Sequence, residues 1–410
     1  MRDRWAAGAV LDPSPSVQAP VRSGPVVEGH RGNAAASAVA VPGRSPVSAS
    51  RGSDYAELSR LVRAAGLLGR RPGYYRVRMS LAVAMLAAGW TVFALLGPSW
   101  WQLALAAFLA IIFTQVGFLG HDAGHRQVFR SRRSNDLLGL LCAYLLIGLS
   151  YSWWIDKHNR HHAHPNQVDR DPDITGRAIA FTGAQASARH RQLGRGLARY
   201  QATLFFPMLI VEGLNLHIAS VRALRAGPAY RTRLVESALL AAHLGGYLAA
   251  VFIVLPPAPA VAFIAVHQGL FGLYMGCAFA PNHKGMPILR RDEELDFLRR
   301  QVLTSRNIRG GRCLDLLLGG LNHQIEHHLF PSMPSPSLRR AQPLVRAFCI
   351  RYDLPYVEAT LTGSYAQVLG YLHEVGATAR PRHVRFSRRS GHRGRDELPA
   401  TGRAHLWIRS

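Results

Sequence analysis

Residues 79–120 read MSLAVAMLAAGWTVFALLGPSWWQLALAAFLAIIFTQVGFLG, a stretch of 42 residues without Asp, Glu, Lys or Arg. Residues 237–282 form a second uncharged stretch of 46 residues. A membrane-spanning helix needs about 20 apolar residues, so each stretch is long enough to cross a membrane twice. Turn residues interrupt each near its middle, with GPS at 97–99 and PPAP at 256–259. We therefore predict an all-α integral membrane protein with four transmembrane helices. They form two hairpins, 79–96 with 100–120 and 237–255 with 260–280.

Arginine marks the open ends of both hairpins, whereas their turns carry no cation. Four Arg precede the first hairpin between residues 70 and 78, and four follow it between residues 126 and 133. Because Lys and Arg are retained on the cytoplasmic side of a membrane, we expect both chain termini and all open hairpin ends in the cytoplasm. This topology, with anionic lipid headgroups, accounts for the net charge of +25. Nucleic acid is not expected as a partner, since no basic stripe is interleaved with base-stacking aromatic residues.

Two shorter apolar runs are not predicted to be straight spans. Residues 137–154 number 18, but a single crossing there would place histidine-rich segments on opposite sides of the membrane. We therefore expect this run to be interfacial or re-entrant. Residues 204–211 are too few to span, and we expect them at the interface or packed on the cytosolic part of the protein.

The ends of the chain have the composition of disordered tails. Residues 1–54 are rich in Ala, Pro, Ser, Gly and Val and contain no apolar run long enough for a secretory signal. Residues 377–410 are rich in Arg and lack an apolar period. We predict one membrane domain over residues 55–376 between these tails. The four scattered Cys exclude a disulfide framework and a thiolate zinc ribbon.

Histidine clusters lie at the predicted cytosolic ends of the spans. They read HDAGH at 121–125, HNRHH at 158–162 and HQIEHH at 323–328, and a single His283 follows the fourth span. Spacings of three and four residues place side chains on one face of a helix, so members of a cluster can share a metal. Adjacent His161 and His162 point about 100° apart, which suits two metals side by side. Neutral nitrogen ligands fit iron, copper, zinc or nickel, and the lack of a nearby thiolate disfavours an iron–sulfur or structural zinc site.

For four other histidines, an ordinary structural role is the alternative to metal ligation or another function. His164 lies outside the helical spacing, and a role in contacting a metal ligand is favoured for it over direct binding of the metal. His217 is favoured as an interfacial helix residue rather than a cytosolic ligand. His243 and His267 lie inside predicted spans, where they are either functional groups or hydrogen-bond partners between helices.

Together the three clusters resemble the histidine boxes of integral-membrane fatty acid desaturases. The third lies within LNHQIEHHLFP at 321–331, which is similar to the third box of the front-end branch, whose members act on acyl-lipid or acyl-CoA substrates. The run DRDPD at 169–173 after the second cluster matches as well. The resemblance covers about residues 74–353, most of the chain, and the third box is its most specific motif.

The resemblance implies a cytosolic di-iron centre, ligated mainly by histidine, that activates O₂ and removes two hydrogen atoms from an acyl chain. Such an enzyme is an oxidoreductase that acts on paired donors and reduces O₂ to water. By position, the metal ligands would be His121, His125, His158, His161, His162, His283, His327 and His328. Gln324 occupies the place of a histidine in the commoner third box and is a candidate catalytic residue. Gln324 and the neighbouring His323 are alternatives for a further contact to iron.

The same resemblance implies partners. Front-end relatives often carry a fused cytochrome b5 domain with a His-Pro-Gly-Gly signature, which this sequence lacks. A separate ferredoxin-like electron donor with its reductase is therefore expected, and a basic cytosolic surface suits an acidic carrier. The expected substrate is a lipid or acyl-CoA. The expected location is the cytoplasmic membrane of a bacterium, with the metal site facing the cytoplasm.

The chemistry of desaturation explains why a metal is required. An unactivated methylene group has no acidic proton and no leaving group, so a metal cofactor must carry the step that acid–base side chains cannot. Carboxylates behind the ligands would orient the imidazoles. The candidates by proximity, each equally well explained as surface charge, are Asp122, Asp169, Asp173 and Glu326. An apolar tunnel for the acyl chain is expected, with Trp153, Trp154 and Tyr274 as candidates for its wall.

Two alternative functions stand beside this one. The same iron scaffold can serve a hydroxylase or ketolase, because one oxidant can add oxygen instead of removing a second hydrogen. A membrane metal transporter, from a different class, would need acidic or histidine residues along the membrane interior, where the sequence places only His243 and His267.

Overall fold

The computed structural model describes residues 53–176, 178–189, 192–226 and 230–379, and most of these residues are helical. The helices are α1 (Asp54–Ala64), α2 (Pro72–Leu96), α3 (Gln102–Gly124), α4 (Arg132–Leu140), α5 (Tyr151–Ala163), α6 (Gly183–Ser187), α7 (Gln192–Arg199), α8 (Gln201–Ile210), α9 (Glu212–Ala226), α10 (Tyr230–Val254), α11 (Pro257–His283), α12 (Phe297–Leu303), α13 (Arg312–Leu317), α14 (Gln324–Leu329), α15 (Ser335–Arg351) and α16 (Leu361–Ala377). A π-helix, Leu141–Leu146, continues α4, and a 3-10 turn, Pro172–Ile174, follows α5. The predicted tails, 1–54 and 377–410, lie outside the described residues except for 53–54 and 377–379.

Two short parallel strands depart from the all-α prediction. They are β1 (Asn307–Ile308) and β2 (Glu358–Ala359), and Asn307 is in register with Glu358. Two-residue strands have no alternating pattern that a sequence can reveal.

Four helices are long and apolar enough to cross a membrane: α2, α3, the Arg233–Val254 part of α10, and α11. They coincide in sequence with the four predicted spans. Each helix extends further than predicted at the end that carries arginine or histidine. For example, α2 begins at Pro72 although it contains Arg78, because that guanidinium is buried and lies 3.3 Å from the Asp122 carboxylate of α3.

Helix α11 is the centre of the packing. It lies against α3, and its glycines allow α8 and α9 to approach its backbone closely. A Cβ on Gly272 would clash with the backbone nitrogen of Gly213 in α9 and would lie 2.7 Å from the carbonyl oxygen of Leu209 in α8. The position of α8 and α9 therefore depends on the absence of a side chain at residue 272.

The two shorter apolar runs form bent helix pairs. The segment Arg132–Leu146 and α5 meet at 117°, and α8 and α9 meet at 68°. At the first bend Gly148 adopts φ +69°, a conformation that favours glycine. A bend of 117° excludes a straight span over residues 137–154, in agreement with the prediction, and both a broken span and a re-entrant loop fit it.

A separate apolar core supports the third histidine cluster. Helices α1, α12, α14 and α15 share it, and its buried members include Leu58, Val302, Ile325 and Phe348. Glu326 of α14 is also buried and accepts hydrogen bonds from Asn307 in β1, at 2.8 Å, and from the Tyr356 hydroxyl, at 2.6 Å. The short helix that carries His327 and His328 is therefore fixed from both sides.

Candidate metal centre

Four separate segments bring eight histidines into one region. Helix α3 contributes two at its end, α5 carries three on successive turns, α11 ends at a histidine, and α14 carries two. They are His121, His125, His158, His161, His162, His283, His327 and His328, the eight residues predicted as metal ligands.

The first histidine group consists of His121, His125, His158 and His327, whose ligand atoms all lie within 4.8 Å of one another. The Nε2 atoms of His125 and His158 are 2.8 Å apart. His121 Nε2 and both ring nitrogens of His327 are buried and have no hydrogen-bond partner among the described residues. Buried ring nitrogens ordinarily have a hydrogen-bond partner. Several that lack one and lie close together fit a cation bound by their lone pairs.

The second histidine group consists of His161, His283 and His328, again with ligand atoms within 4.8 Å. The Nε2 atoms of His161 and His283 are 3.3 Å apart, and His328 Nε2 is buried without a described partner. His162 lies between the groups, with its Nε2 3.1 Å from that of His158 and its ring centroid 4.2 Å from that of His328. Helix α5 thus supplies both groups, an arrangement suited to two metals side by side.

Electrostatics favour a neutral imidazole at several histidines of the site, but at His161 the effect of burial is outweighed by the Asp171 carboxylate, which raises the pKa. Burial, with a smaller contribution from neighbouring histidines, holds the pKa of His125, His327 and His328 well below the usual histidine range. A neutral imidazole has a free lone pair and can ligate a metal, whereas an imidazolium cannot. The donor set, all nitrogen and without thiolate, fits iron.

Fixed oxygen atoms face the second ring nitrogen of four of these histidines. His121 Nδ1 lies 3.4 Å from Asp122, and His161 Nδ1 lies 3.0 Å from Asp171. His283 Nδ1 bonds to the Thr304 carbonyl at 2.9 Å, and His328 Nδ1 bonds to the Gln301 amide oxygen at 2.9 Å. Each contact favours the ring proton on Nδ1 and directs the Nε2 lone pair toward the interior of its group.

The sequence argument named only part of this supporting set. Asp122 is in place, and Asp173 lies 3.5 Å from His161 while pairing with Lys157. Asp169 instead faces Arg291 at the surface, with 63% of its side chain exposed, and Glu326 bonds to the groups that fix α14. The missed oxygens, those of Asp171, Gln301 and Thr304, follow no histidine spacing. Asp171 had one local signal, because an Asp before Pro172 is a typical cap for a short helical turn.

Gln324 and His323 have different surroundings. Gln324 Nε2 lies 2.8 Å from His283 Nε2, and its amide oxygen accepts a hydrogen bond from Asn282 at 3.3 Å. His323 Nε2 lies 3.1 Å from an Asp315 oxygen, away from both histidine groups. Of the two predicted alternatives, Gln324 is therefore the residue beside the second histidine group.

The four remaining histidines of the sequence analysis lie outside both groups. His164 bonds to Gln167, and His217 bonds to Gly148 and Gln268. His243 Nδ1 lies 2.8 Å from the Leu145 carbonyl, and His267 Nδ1 lies 2.9 Å from the Tyr247 hydroxyl. Hydrogen bonding between helices is therefore the role that the geometry supports for His243 and His267.

A largely apolar cavity of about 380 Å³ reaches both histidine groups. His158 belongs to the first group and His161 and His283 to the second, and all three line it together with Gln324. Trp153 and Trp154 also line it, as predicted, whereas the Tyr274 hydroxyl donates to the Leu317 carbonyl and is not part of its wall.

An open cleft of about 700 Å³ reaches the first histidine group from the surface. His125 lies in its wall, and Arg70, Arg126 and Arg132 stand around it. The histidine groups are therefore accessible from two places, one largely apolar and one basic.

Comparison with known proteins agrees with this arrangement. The sequence profile of the family described as fatty acid desaturase matches residues 98–360, which include all eight histidines. This chain belongs to the fatty acid desaturase family. The prediction of the family is thereby confirmed, and with four apolar helices this desaturase family member is an integral membrane protein.

Named relatives of this desaturase family member come from plants and animals. An acyl-lipid (9-3)-desaturase of Physcomitrium patens is 30% identical over 82% of this chain and 65% of its own length. Fatty acid desaturase 3 of Bos taurus is 29% identical over 74% of this chain and 68% of its own length. The delta(5) fatty acid desaturase fat-4 of Caenorhabditis elegans is 29% identical over 77% of this chain and 72% of its own length. The chain thus spans about two thirds of the length of these relatives.

Proposed function

We propose that this protein is an O₂-dependent fatty acyl desaturase that introduces a double bond into the acyl chain of a lipid or acyl-CoA. The observation that carries the proposal is the position of the two histidine groups, side by side at the wall of a largely apolar cavity. An apolar cavity holds an acyl chain, and adjacent nitrogen-donor sites hold two iron ions. The names of the relatives support the same activity.

Two iron ions would be held by the eight histidines already named. When bound, they would supply the activation of O₂ that oxidation of a methylene group requires. The chain's own residues orient the imidazoles, with their Nε2 atoms toward the site, and would surround the acyl chain with apolar side chains. Gln324 is proposed as a positioning or ligating group for the second histidine group, because its amide lies 2.8 Å from His283.

A separate acidic, ferredoxin-like carrier with its reductase is proposed to supply the electrons. The basic cleft beside His125 supports this partner, because it brings the protein surface to the first histidine group and is surrounded by Arg70, Arg126 and Arg132. Charge complementarity of this kind steers the encounter of two proteins.

The proposed location is the cytoplasmic membrane of a bacterium, with the chain termini and the metal site on the cytoplasmic side. The arginine placement at the open ends of the hairpins supports this orientation, because positive residues are retained on that side. Two of the candidate spans, α3 and α11, also end at histidines of the site.

Product analysis tests the proposed activity. Wild-type protein and a His161→Ala variant are expressed in a bacterial host with a ferredoxin and its reductase, and double bonds in total fatty acids are located by mass spectrometry. We expect a new double bond with the wild type alone. A new hydroxyl or keto group would instead indicate the hydroxylase or ketolase alternative. If the wild-type protein carries its full iron content and the two strains still have identical lipids, acyl oxidation is contradicted.

A further inference from the structure

The cavity extends from the second histidine group along α11. His283, Ala280, Phe279, Gly276 and Met275 of this helix all line it. A helix rises about 1.5 Å per residue, so the eight residues from His283 to Met275 correspond to roughly 12 Å. The cavity therefore reaches from the histidines well into the helical body.

The walls at the two ends of this path belong to different apolar cores. Near His283 the wall includes Phe181, Phe205 and Leu372, which pack together with Ala280. At the far end it includes Leu149, Leu216 and Met275, which pack with residues of α3 and with Phe271 of α11. We name these three residues the inner wall.

Part of the inner wall is packed from behind. A Cβ built on Gly117 of α3 would lie 3.6 Å from Met275 Sδ and 3.6 Å from Ile147 Cδ1, so the α3 backbone lies beside both side chains. Leu149 is only 7% exposed, whereas Leu216 and Met275 are partly buried. A chain that reaches Met275 therefore meets the backbone of α3 at Gly117.

Hydrogen bonds hold the loop that carries Leu149. The Gly148 carbonyl accepts a hydrogen bond from His217 Nδ1 at 2.8 Å, and His217 Nε2 lies 3.0 Å from the Gln268 amide oxygen of α11. The Ser150 backbone nitrogen donates to the Ser220 hydroxyl of α9 at 2.9 Å. The loop is thus tied to α9 on both sides of Leu149, which makes the inner wall a fixed boundary.

We infer that Leu149, Leu216 and Met275 set the length of acyl chain that fits beyond the histidine groups, an inference that rests on the proposed function. All three side chains are apolar, so they suit the methyl end of the chain and would penalise a carboxyl or phosphate group. Of the charged residues that line the same cavity, Glu212 lies one helical turn before Leu216 in α9, whereas Lys157 and Lys284 donate hydrogen bonds to Asp173, which lies beside His161. The polar end of the substrate stays on that side.

Substitutions of opposite size test the inner wall. Leu216→Ala and Met275→Ala should raise the conversion of substrates two carbons longer, relative to the preferred length, by about tenfold or more, because a single methylene in an apolar pocket already discriminates by roughly 10-fold. Leu216→Phe should shift the preference toward shorter chains. Leu248→Ala, on an exposed position of α10, is the matched control and should leave the length profile unchanged.

A second readout separates this inference from the proposed function. The thermal stabilisation of the purified protein by fatty acids of graded length requires binding but no turnover. A length profile that shifts in the three variants supports the inner wall even if the wild type forms no double bond, an outcome that would contradict the proposed function alone. If folded variants keep the wild-type length profile in both assays, the inner wall does not set the chain length. A double bond formed by the wild type would then leave the proposed function intact.

Discussion

The second ring nitrogen decides what each histidine of the site can do. Where an oxygen holds the proton on Nδ1, Nε2 is presented as a lone pair in a fixed direction. Asp171 does this for His161, and both of its oxygens are also used by backbone N–H groups, those of Asn166 at 2.7 Å and Asp173 at 2.8 Å. One side chain therefore fixes both a proposed ligand and the loop behind it.

We predict that Asp171→Asn lowers iron affinity by about 10- to 100-fold, the usual effect of losing such a partner. The amide would have to turn its NH₂ group toward one of the N–H donors that Asp171 now accepts from. Asp169→Asn is the matched control, because Asp169 is exposed and its φ of 62° is one that Asn tolerates. Iron per chain, measured after dialysis against a graded chelator, checks this; equal retention in the two variants would contradict the role of Asp171.

At the scale of elements, the end of α11 is the most constrained part of the site. Arg306 is fully buried, and its guanidinium donates to the carbonyls of Pro281, at 2.6 Å, and Lys284, at 2.8 Å, and to the Gln367 side chain. Burial lowers the pKa of Arg306 to about 10. A buried cation on the last carbonyls of a helix stabilises that helix end, and here the helix end carries His283.

Removing this cation should loosen the second histidine group. Arg306→Met keeps the volume and leaves the Lys284 carbonyl without its donor, whereas the Pro281 carbonyl keeps the Ser364 hydroxyl as a donor. A buried group left unsatisfied costs about 1–3 kcal/mol. We expect a lower melting temperature and a faster loss of iron than in Arg309→Met, which changes an exposed arginine three residues away. Identical unfolding curves and iron loss for the two variants would show that Arg306 does not support the helix end.

The crossing of α9 and α11 gives a second prediction at this scale. Gly272→Ala places a methyl group against the backbone of Gly213 and Leu209, which cannot move as a flexible side chain would. Overpacking of this kind costs about 1–3 kcal/mol or more. Gly246→Ala in α10 meets no atom within 4 Å and should be neutral or slightly stabilising. Thermal unfolding in detergent distinguishes them, and a Gly272→Ala protein as stable as the wild type would refute the close crossing.

At the scale of the whole molecule, the histidine groups meet a largely apolar cavity and a basic cleft that share only the region of α5 between them. The cavity contains His158, His161 and His283 in its wall, and the cleft contains His125. This separation allows an acyl chain and an electron carrier to approach the same centre without competing for space.

The basic cleft predicts a salt dependence. The Debye screening length falls from about 10 Å at 0.1 M salt to about 3 Å at 1 M. Turnover with an acidic carrier should therefore fall steeply as ionic strength rises. Arg126→Asn, which retains a residue that tolerates the positive φ at this position, should lower turnover at low salt and flatten the dependence. Arg291→Asn, far from the cleft along the chain, should change neither, and turnover that is indifferent to salt in the wild type would exclude this docking surface.

The sequence was sufficient for the membrane helices, because uncharged runs are a local signal. It also singled out, by helical spacing and by the family resemblance, the eight histidines that the structure brings together. It made the spans too short at the ends that carry arginine or histidine; Arg78, for example, looks like a boundary until its buried partner Asp122 is known. It missed Gln301 and the Thr304 carbonyl because these contacts join α12 to α11 and α14, distant in the chain. The cavity and the inner wall likewise depend on how helices meet, which no local pattern encodes.

The number of iron ions per chain tests the central claim most directly. Two adjacent histidine groups predict two iron ions in the purified wild-type protein, quantified by elemental analysis against the protein concentration. A value near two, falling with Asp171→Asn but not with Asp169→Asn, is the expected result. A single ion, or zinc in place of iron in protein that is catalytically active, would contradict a di-iron centre built from these eight residues.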